Sequence, residues 1–132
     1  MNITEIARKT RLTPKSIRFY EEKGLITPPA RAANGYRQYN STHIEELTLL
    51  HQARQVGFSL SVCKELLELY KNPHRRSADV KERTMTRITE IDTQIRQLQS
   101  MRERLMKLAQ QCPGDDSENC PIINELSCPH CI

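Results

Sequence analysis

Apolar residues recur every three or four positions through most of this chain, which is the spacing of amphipathic α-helices. The first two such segments cover residues 2–9 and 15–23, with a short turn between them. Thr13 and Pro14 are typical of a helix start, and Gly24 is typical of a helix end. Two short helices joined by a tight turn predict a helix-turn-helix.

The pattern changes after residue 24 and predicts a small β-wing. A Pro-Pro pair at residues 28–29 stops any helix. Asn34-Gly35 is a strong hairpin signal, because both residue types accept positive φ. We expect residues 25–26 to pair with residues 36–39 across this hairpin.

Two further helices follow the wing. Ser41 or Thr42 caps the third, which ends near Gly57, and Ser59 caps the fourth. The inner face of the fourth helix carries Leu60, Cys63, Leu66, Leu67 and Tyr70. Because Cys63 lies within this apolar set, we interpret it as a core residue.

Residues 78–111 contain neither Gly nor Pro and predict one helix of about 50 Å. Its apolar stripe consists of Met85, Ile88, Ile91, Ile95, Leu98, Met101, Leu105 and Leu108. Nothing else in the chain is long enough to cover this stripe, so we expect a second copy to do so in a coiled-coil homodimer. The alternative is a single helix exposed to solvent.

Composition divides the chain into a basic head and an acidic tail. Its 132 residues carry a formal charge of +4, but residues 1–40 hold eight basic and three acidic side chains, whereas residues 112–132 hold four acids and no base. A basic head favours a polyanionic partner. The chain has no apolar signal segment and no run long enough to span a bilayer, so we expect a cytoplasmic protein without a membrane partner.

The basic and aromatic residues of the head are candidates for binding double-stranded DNA. Arginine can bind guanine edges or phosphates, and tyrosine can donate to phosphate. The candidates are Lys15, Arg18 and Tyr20 on the second helix, Arg31, Asn34, Tyr36 and Arg37 on the wing, and Arg54 on the third helix. The alternative is a basic surface that is merely solvated.

The acidic tail holds the candidate metal site. Cys112 and Cys120 bracket a loop with seven residues between them, and Pro121 can start a short helix. Thiolates select soft metals, and two ligands favour a linear ion such as Cu(I) or Ag(I) over tetrahedral Zn(II). Backbone N–H groups at the helix start could stabilise the residual negative charge. The alternatives are two unremarkable thiols, or a disulfide, which a reducing compartment disfavours.

Four segments resemble the MerR family of transcription regulators: residues 2–7, 17–26, 34–37 and 54–60, and the similarity extends to about Leu126. The resemblance implies a dimer with an antiparallel coiled coil, bound to a promoter whose −35 and −10 elements lie too far apart. Effector binding in this family bends and untwists that DNA, so that RNA polymerase can use both elements. It also implies that the protein is not an enzyme.

Residues 74–81, 98–102, 112–117 and 120–122 resemble the copper-responsive branch of this family. The resemblance implies one Cu(I) per loop on Cys112 and Cys120, with Ag(I) and Au(I) as further effectors. Sensors of divalent ions have a cysteine where this chain has Ser77, so Ser77 of the partner subunit would keep the pocket at two thiolates. Lys81 is a candidate to offset the negative charge.

Several alternatives stay open. Cys128, His130 and Cys131 form either an ancillary metal site or a tail without a defined role. Within the class, the sensor could respond mainly to Ag(I) or Au(I), or to Zn(II) or Hg(II), although Ser77 argues against the divalent ions. A copper-buffering protein would need no Arg/Tyr wing, and a thiol-disulfide oxidoreductase would need a βαβ context that is missing.

The sequence therefore predicts a mainly α-helical protein. The predicted parts are a winged helix-turn-helix domain (1–70), a hinge (71–77), a dimerisation helix (78–111), a metal-binding loop with a short helix (112–126) and a Cys/His tail (127–132). The function that these parts predict is copper-responsive activation of efflux and detoxification genes.

Overall fold

The computed structural model describes residues 1–130 and is mainly helical. Its elements are α1 (Ile3–Thr10), α2 (Pro14–Glu22), β1 (Ala30–Arg31), β2 (Arg37–Gln38), α3 (Ser41–Gln55), α4 (Leu60–Lys71), α5 (Ser77–Gln111) and α6 (Pro121–Leu126). The chain forms two compact units, residues 1–87 and residues 88–132, and α5 contributes to both. Within the described part of the chain, no helix is both long and apolar enough to cross a membrane. The mainly helical prediction is confirmed.

Side-chain oxygens start the helices where short-range signals predict them. The hydroxyl of Thr13 accepts from the backbone N–H of Ser16 at 3.1 Å, and the hydroxyl of Ser59 accepts from that of Val62 at 3.2 Å. The third helix starts differently from the prediction, because Asn40 rather than Ser41 or Thr42 is its N-cap. An asparagine side chain satisfies the free N–H groups of a first turn as well as a hydroxyl does.

The turn between α1 and α2 is tighter than expected, since α1 continues to Thr10. Arg11 then adopts the left-handed conformation, with φ of 60°, and its N–H caps the helix by donating to the carbonyl of Ala7. Gly24 has φ of 71° just after α2, as the predicted helix end requires. The two helices therefore form the expected helix-turn-helix.

The wing exists, but the prediction that residues 25–26 form one of its strands is wrong. Ala30 pairs with Gln38 and Arg31 with Arg37 in an antiparallel hairpin. Leu25 and Ile26 are instead almost completely buried in the core. Burial of two large apolar side chains outweighs the hydrogen bonds that they would gain in an exposed hairpin.

The core of the first unit lies where α1, α2, α3 and α4 meet. Its buried members are Ile6, Ala7, Ile17, Leu25, Ile26, Tyr39, Leu47, Leu50, Ala53, Cys63 and Leu67. Cys63 is fully buried, as predicted, and burial raises the pKa of its thiol. Tyr70 also lies on the side of α4 that faces α3, where its hydroxyl donates to Glu45 at 3.1 Å, but it is exposed and does not belong to the core.

A carboxylate is also buried in this unit. Glu46, only 1% exposed, accepts from the backbone N–H and the hydroxyl of Thr27 at 2.7 and 2.6 Å, and from the ammonium of Lys71 at 3.2 Å. Burial alone would raise the pKa of Glu46, but the hydrogen bonds from Thr27 and Lys71 hold it below the ordinary value. This network ties the segment before the wing to α3 and α4.

The long helix α5 starts at Ser77, one residue earlier than predicted, and runs without a break to Gln111. Most of its predicted apolar stripe is open to solvent: Met85, Ile88, Ile95, Leu98, Met101 and Leu105 are all exposed. Leu108 is the one buried residue among the described residues from 88 onward. A single copy of the chain therefore leaves an apolar stripe uncovered.

Candidate nucleic-acid interface and metal-binding loop

Helix α2 keeps one residue in the core and its basic side chains in solvent. Ile17 is fully buried in the core, and Lys15 and Arg18 are exposed. Tyr20 is half-buried and packs against the core while keeping part of its surface in solvent. As the second helix of the helix-turn-helix, α2 holds the place of a recognition helix, and that role stays a prediction. Its apolar side, packed in the core, fixes the orientation of its polar side.

The wing is held in shape by its own polar groups. The side-chain oxygen of Asn34 accepts from the backbone N–H of Tyr36 at 3.1 Å, and the guanidinium of Arg31 donates to the carbonyl of Gly35 at 3.0 Å. Gly35 has φ of 83°, which the turn requires, whereas Asn34 does not adopt positive φ. The ring of Tyr36 is 72% exposed, so the tip of the wing presents an aromatic side chain to solvent.

Recognition helix and wing meet at one cleft of about 470 Å³. Its lining includes five of the eight predicted DNA-contacting residues, namely Arg18, Arg31, Asn34, Tyr36 and Arg37. Residues 2–4, at the start of α1, form another side of it, whereas Lys15, Tyr20 and Arg54 lie outside its lining. Three arginines around one groove provide the cationic surface that a phosphate backbone needs.

One acidic residue at this surface was not among the predicted site residues. The carboxylate of Glu21 on α2 accepts from the Nε of Arg37 on β2 at 2.8 Å. Burial raises the pKa of the nearby Tyr39 hydroxyl, and the charge of Glu21 raises it further. Nothing in the sequence signals the pair, since its members are 16 positions apart and belong to different elements.

Arg54 supports the turn between α3 and α4. Its guanidinium donates to the carbonyl oxygen of Phe58 at 2.8 Å, while the side chain remains exposed. Arg87 acts on the same turn from α5, donating through Nε to the carbonyl oxygen of Val56 at 2.9 Å. The expected contact of Arg54 with phosphate stays a prediction. The turn that follows Arg54 is stabilised by two arginine hydrogen bonds, one from α3 and one from α5.

The 112–120 loop begins directly after α5 and ends at the N-cap of α6. Cys112 and Cys120 are both free thiols and both half-buried. The Sγ of Cys120 accepts from the backbone N–H of Ile123 at 3.5 Å. The predicted helix start at Pro121 is confirmed, and the stabilisation of a metal-bound thiolate by this N–H stays a prediction. Inside the loop, hydrogen bonds from the hydroxyl and the backbone N–H of Ser117 lower the pKa of Asp115.

The donor set of this loop fits a soft ion of low charge. Two thiols supply soft ligands, and the Ile123 N–H directed at one of them can share the negative charge that a thiolate carries. Among residues 1–130, no group of three or more His, Cys, Asp or Glu side chains is arranged to hold a metal. The loop therefore offers two sulfur ligands from its own residues.

The remaining predicted site residues lie in two places. Ser77 is the first residue of α5 and Lys81 follows one turn later, both exposed to solvent. Cys128 is half-buried after the end of α6, and His130 is exposed. Cys131 lies outside the described residues, so the ancillary metal site stays a prediction.

Comparison with known proteins covers nearly the whole chain. The family described as "MerR HTH family regulatory protein" matches residues 1–69, and the family described as "MerR, DNA binding" matches residues 44–108. The transcriptional regulator CueR of Salmonella typhimurium is 60% identical over 131 residues, which are 98% of this chain and 95% of that protein.

Two solved structures extend the comparison to metal complexes. The regulator PbrR691 of Ralstonia metallidurans, in complex with lead(II), has a TM-score of 0.85 and 28% identity over 96% of this chain and 99% of that one. MerR of Bacillus megaterium, in complex with mercury(II), has a TM-score of 0.71 and 28% identity over 91% and 94% of the two chains. This chain is thus similar in sequence and in fold to transcription regulators that have been solved in complex with metal ions.

Proposed function

The chain belongs to the MerR family of transcription regulators, and from this premise we propose that it is a Cu(I)-responsive activator that binds promoter DNA as a homodimer. It is a regulator of transcription and not an enzyme. The observation that carries the choice of effector is the pair of free thiols, Cys112 and Cys120, at the two ends of one loop.

The DNA contacts are assigned to the surface around the arginine-lined cleft. Arg18 on α2 and Arg31 and Arg37 on the wing would contact phosphates on two sides of the recognition helix. Lys15, Tyr20 and Arg54 would extend this surface along α2 and at the end of α3. Asn34 and Tyr36, at the exposed tip of the wing, would reach the flanking backbone.

The dimer is assigned to the uncovered stripe of α5. Large apolar side chains at three- and four-residue steps, such as Leu98, Met101 and Leu105, are more than half exposed in a single copy. A second α5 running antiparallel would remove them from water in a coiled coil. A two-fold dimer would then present two recognition helices to two half-sites of an operator.

The choice of a monovalent ion follows from the number and charge of the ligands. Cys112 and Cys120 as thiolates carry two negative charges, so an ion of charge +1 leaves one, which the Ile123 N–H can share. Ser77 of the partner subunit would add no third sulfur, and Lys81 of the partner subunit would offset the residual charge. When bound, the ion supplies a link between the two ends of the loop, one ion per loop.

Activation would work through the shape of the DNA rather than through occupancy. The dimer would hold an overlong spacer in both states, and the ordered 112–120 loop would favour the state that bends and untwists it. RNA polymerase could then use both promoter elements. The genes controlled in this way would be those for copper efflux and detoxification.

The test is run-off transcription under anaerobic conditions. An operator recovered from random duplexes by selection with the wild-type protein is placed in an overlong spacer. Buffered Cu(I), Ag(I), Au(I), Zn(II) or Hg(II) is then added in separate reactions with bacterial RNA polymerase. We expect Cu(I) to raise the transcript at least tenfold while the DNA stays occupied. An unchanged transcript would exclude an activator.

Two other functions give different results in the same experiment. A sensor led by Ag(I) or Au(I) would reach full transcript with those ions at free concentrations at which Cu(I) has no effect. A copper-buffering protein would recover no operator from the selection. The arginine-lined cleft favours a DNA-binding regulator over a buffer.

A further inference from the structure

The wing is too small to fix its own position on the protein. Each of its strands has two residues, and the ladder consists of the pairs Ala30–Gln38 and Arg31–Arg37. An isolated two-stranded hairpin is marginally stable even when it is longer. Its orientation relative to the recognition helix must therefore come from contacts outside the ladder.

One such contact joins the wing directly to the recognition helix. Arg37 Nε donates to Glu21 Oε2 at 2.8 Å, and the two side chains are 30% and 16% exposed. Arg31, the other arginine of the wing, uses its guanidinium within the hairpin, where it donates to Gly35. Arg31 thus stabilises the hairpin itself, whereas Arg37 joins the hairpin to α2.

The charge of Glu21 is unfavourable where it stands. Arg37, with Arg18 and Arg31, lines the cleft in which the proposed function puts DNA phosphates. Glu21 contacts Arg37 from outside that lining, and a carboxylate next to the cleft repels a polyanion. A carboxylate there weakens DNA binding by repulsion, unless its contact with Arg37 improves binding by more than the repulsion costs.

We infer that Glu21 is a positioning residue for DNA recognition, which holds the Arg37 side chain and so sets the angle between the wing and the recognition helix. This rests on the proposed function, since it assigns a role within DNA binding. The guanidinium of Arg37 keeps its terminal N–H groups for a phosphate while its Nε is held by Glu21. Fixing a side chain before binding reduces the ordering that binding requires.

The direction in which Glu21→Gln changes the Kd for DNA separates a positioning role from simple electrostatic repulsion. Glu21→Gln removes a negative charge at the DNA surface, so electrostatics alone would tighten binding to the selected operator duplex. Positioning gives the opposite result, and we expect the Kd to rise roughly 3- to 10-fold, as for the loss of one charge-assisted hydrogen bond. Glu22→Gln is the matched control, because it removes the same charge from the next, exposed position of α2 and should leave binding equal or tighter.

A double-mutant cycle tests whether Glu21 acts through Arg37. In an Arg37→Gln background, we expect Glu21→Gln to cause no further loss, because the pair is already broken. An equal loss in both backgrounds, or tighter binding by Glu21→Gln alone, would overturn the inference. Circular dichroism checks that each variant keeps its helices, and a variant that unfolds counts against a role limited to positioning.

Operator selection by the wild-type protein distinguishes a failure of the proposed function from a failure of this inference. If the wild-type protein selects no operator, the proposed function fails and this inference fails with it. If the wild type binds and Glu21→Gln binds equally well, the positioning role alone is wrong.

Discussion

The guanidinium of Arg87 occupies the space that a side chain at Gly57 would fill. Gly57 has φ of 87° in the turn between α3 and α4, and Arg87 reaches over it to donate to the carbonyl oxygen of Val56. A second arginine one turn earlier on α5, Arg83, pairs with Glu65 of α4 at 2.7 Å. Two arginines therefore attach the first turns of α5 to the first unit, Arg83 to α4 and Arg87 to the α3–α4 turn.

Gly57→Ala should destabilise the protein for two separable reasons. Left-handed backbone at a non-glycine residue costs about 1–2 kcal/mol, and displacement of Arg87 from its hydrogen bond adds about 1 kcal/mol. Gly24→Ala is the control, because φ is 71° there but a Cβ meets nothing within 4 Å. The measurement is urea unfolding at one fixed protein concentration.

The contribution of Arg87 can be isolated in the same assay. In an Arg87→Met background, the loss from Gly57→Ala should fall to that of Gly24→Ala, because no hydrogen bond remains to be broken. If Gly57→Ala and Gly24→Ala cost the same in the wild-type background, the proposed coupling of Arg87 to the turn is absent.

Glu46 should make stability depend on pH in the acid range. Its pKa lies below the ordinary value in the folded protein, so its contribution is complete above about pH 4.5 and is lost as the pH falls through the lowered folded pKa. Glu46→Gln should therefore cost about 2 kcal/mol at pH 7 and progressively less toward pH 3. Denaturant unfolding between these pH values measures the difference.

A surface carboxylate provides the comparison for Glu46. Glu68 lies exposed on the same helix that carries Lys71, and Glu68→Gln should shift stability by no more than about 0.5 kcal/mol at any pH. A loss from Glu46→Gln that stays constant, or that grows on acidification, would contradict the network with Thr27 and Lys71.

Cys112→Ser and Cys120→Ser should each reduce the Cu(I)-dependent transcript at least tenfold, because a hydroxyl is a poor ligand for a soft ion. Both variants should keep operator affinity within about twofold, because neither residue belongs to the proposed DNA-binding surface. Serine at position 120 should preserve α6, since a hydroxyl caps a helix well. Cys128→Ser should keep the response. If Cys128→Ser abolishes it and the two loop variants retain it, the metal site has been assigned to the wrong cysteines.

Leu98→Glu should convert the dimer to monomers by placing a charge on the uncovered stripe of α5. Leu98 is 63% exposed in the single copy, so the substitution has little effect on the monomer fold. We expect the dimer Kd to rise at least 100-fold, as for a charge buried without a partner. Sedimentation equilibrium measures it, and Gln97→Glu, with the same added charge next to the stripe, should remain dimeric. Dimers of Leu98→Glu would exclude this face.

Local signals predicted most helix starts. Thr13 and Ser59 act through hydrogen bonds within one turn of themselves, and Pro14 and Pro121 act through their own fixed φ, so the printed sequence contains the whole interaction. The long α5 was predictable for the related reason that 34 residues without Gly or Pro leave few other conformations. The stripe on α5 likewise predicted a surface that needs a partner.

Tertiary contacts account for what the sequence did not indicate. Leu25 and Ile26 have strand-forming side chains, but their place is decided by the core of four helices. Glu46 falls on the buried stripe of α3 beside Leu47, and its partners come from residues 27 and 71. The Glu21–Arg37 pair has no local signal at all, because each residue alone reads as a surface charge.

In the candidate site, too, the local signals were predictable from the sequence and the tertiary contacts were not. Residue types and loop spacing were enough to nominate Cys112 and Cys120, and the N–H of Ile123 that reaches Cys120 followed from the helix start at Pro121. The different contacts of the two wing arginines were not predictable. Arg31 and Arg37 are both basic hairpin residues in the sequence, yet one braces the hairpin and the other joins it to α2.

X-ray absorption on anaerobic protein loaded with one Cu(I) per chain counts the sulfur ligands of the proposed site. Binding by Cys112 and Cys120 predicts two sulfur neighbours at the short distance of a linear site, and the loss of that signal in Cys112→Ser and Cys120→Ser. Three or four sulfur neighbours, or an unchanged two-sulfur signal in both variants, would contradict it.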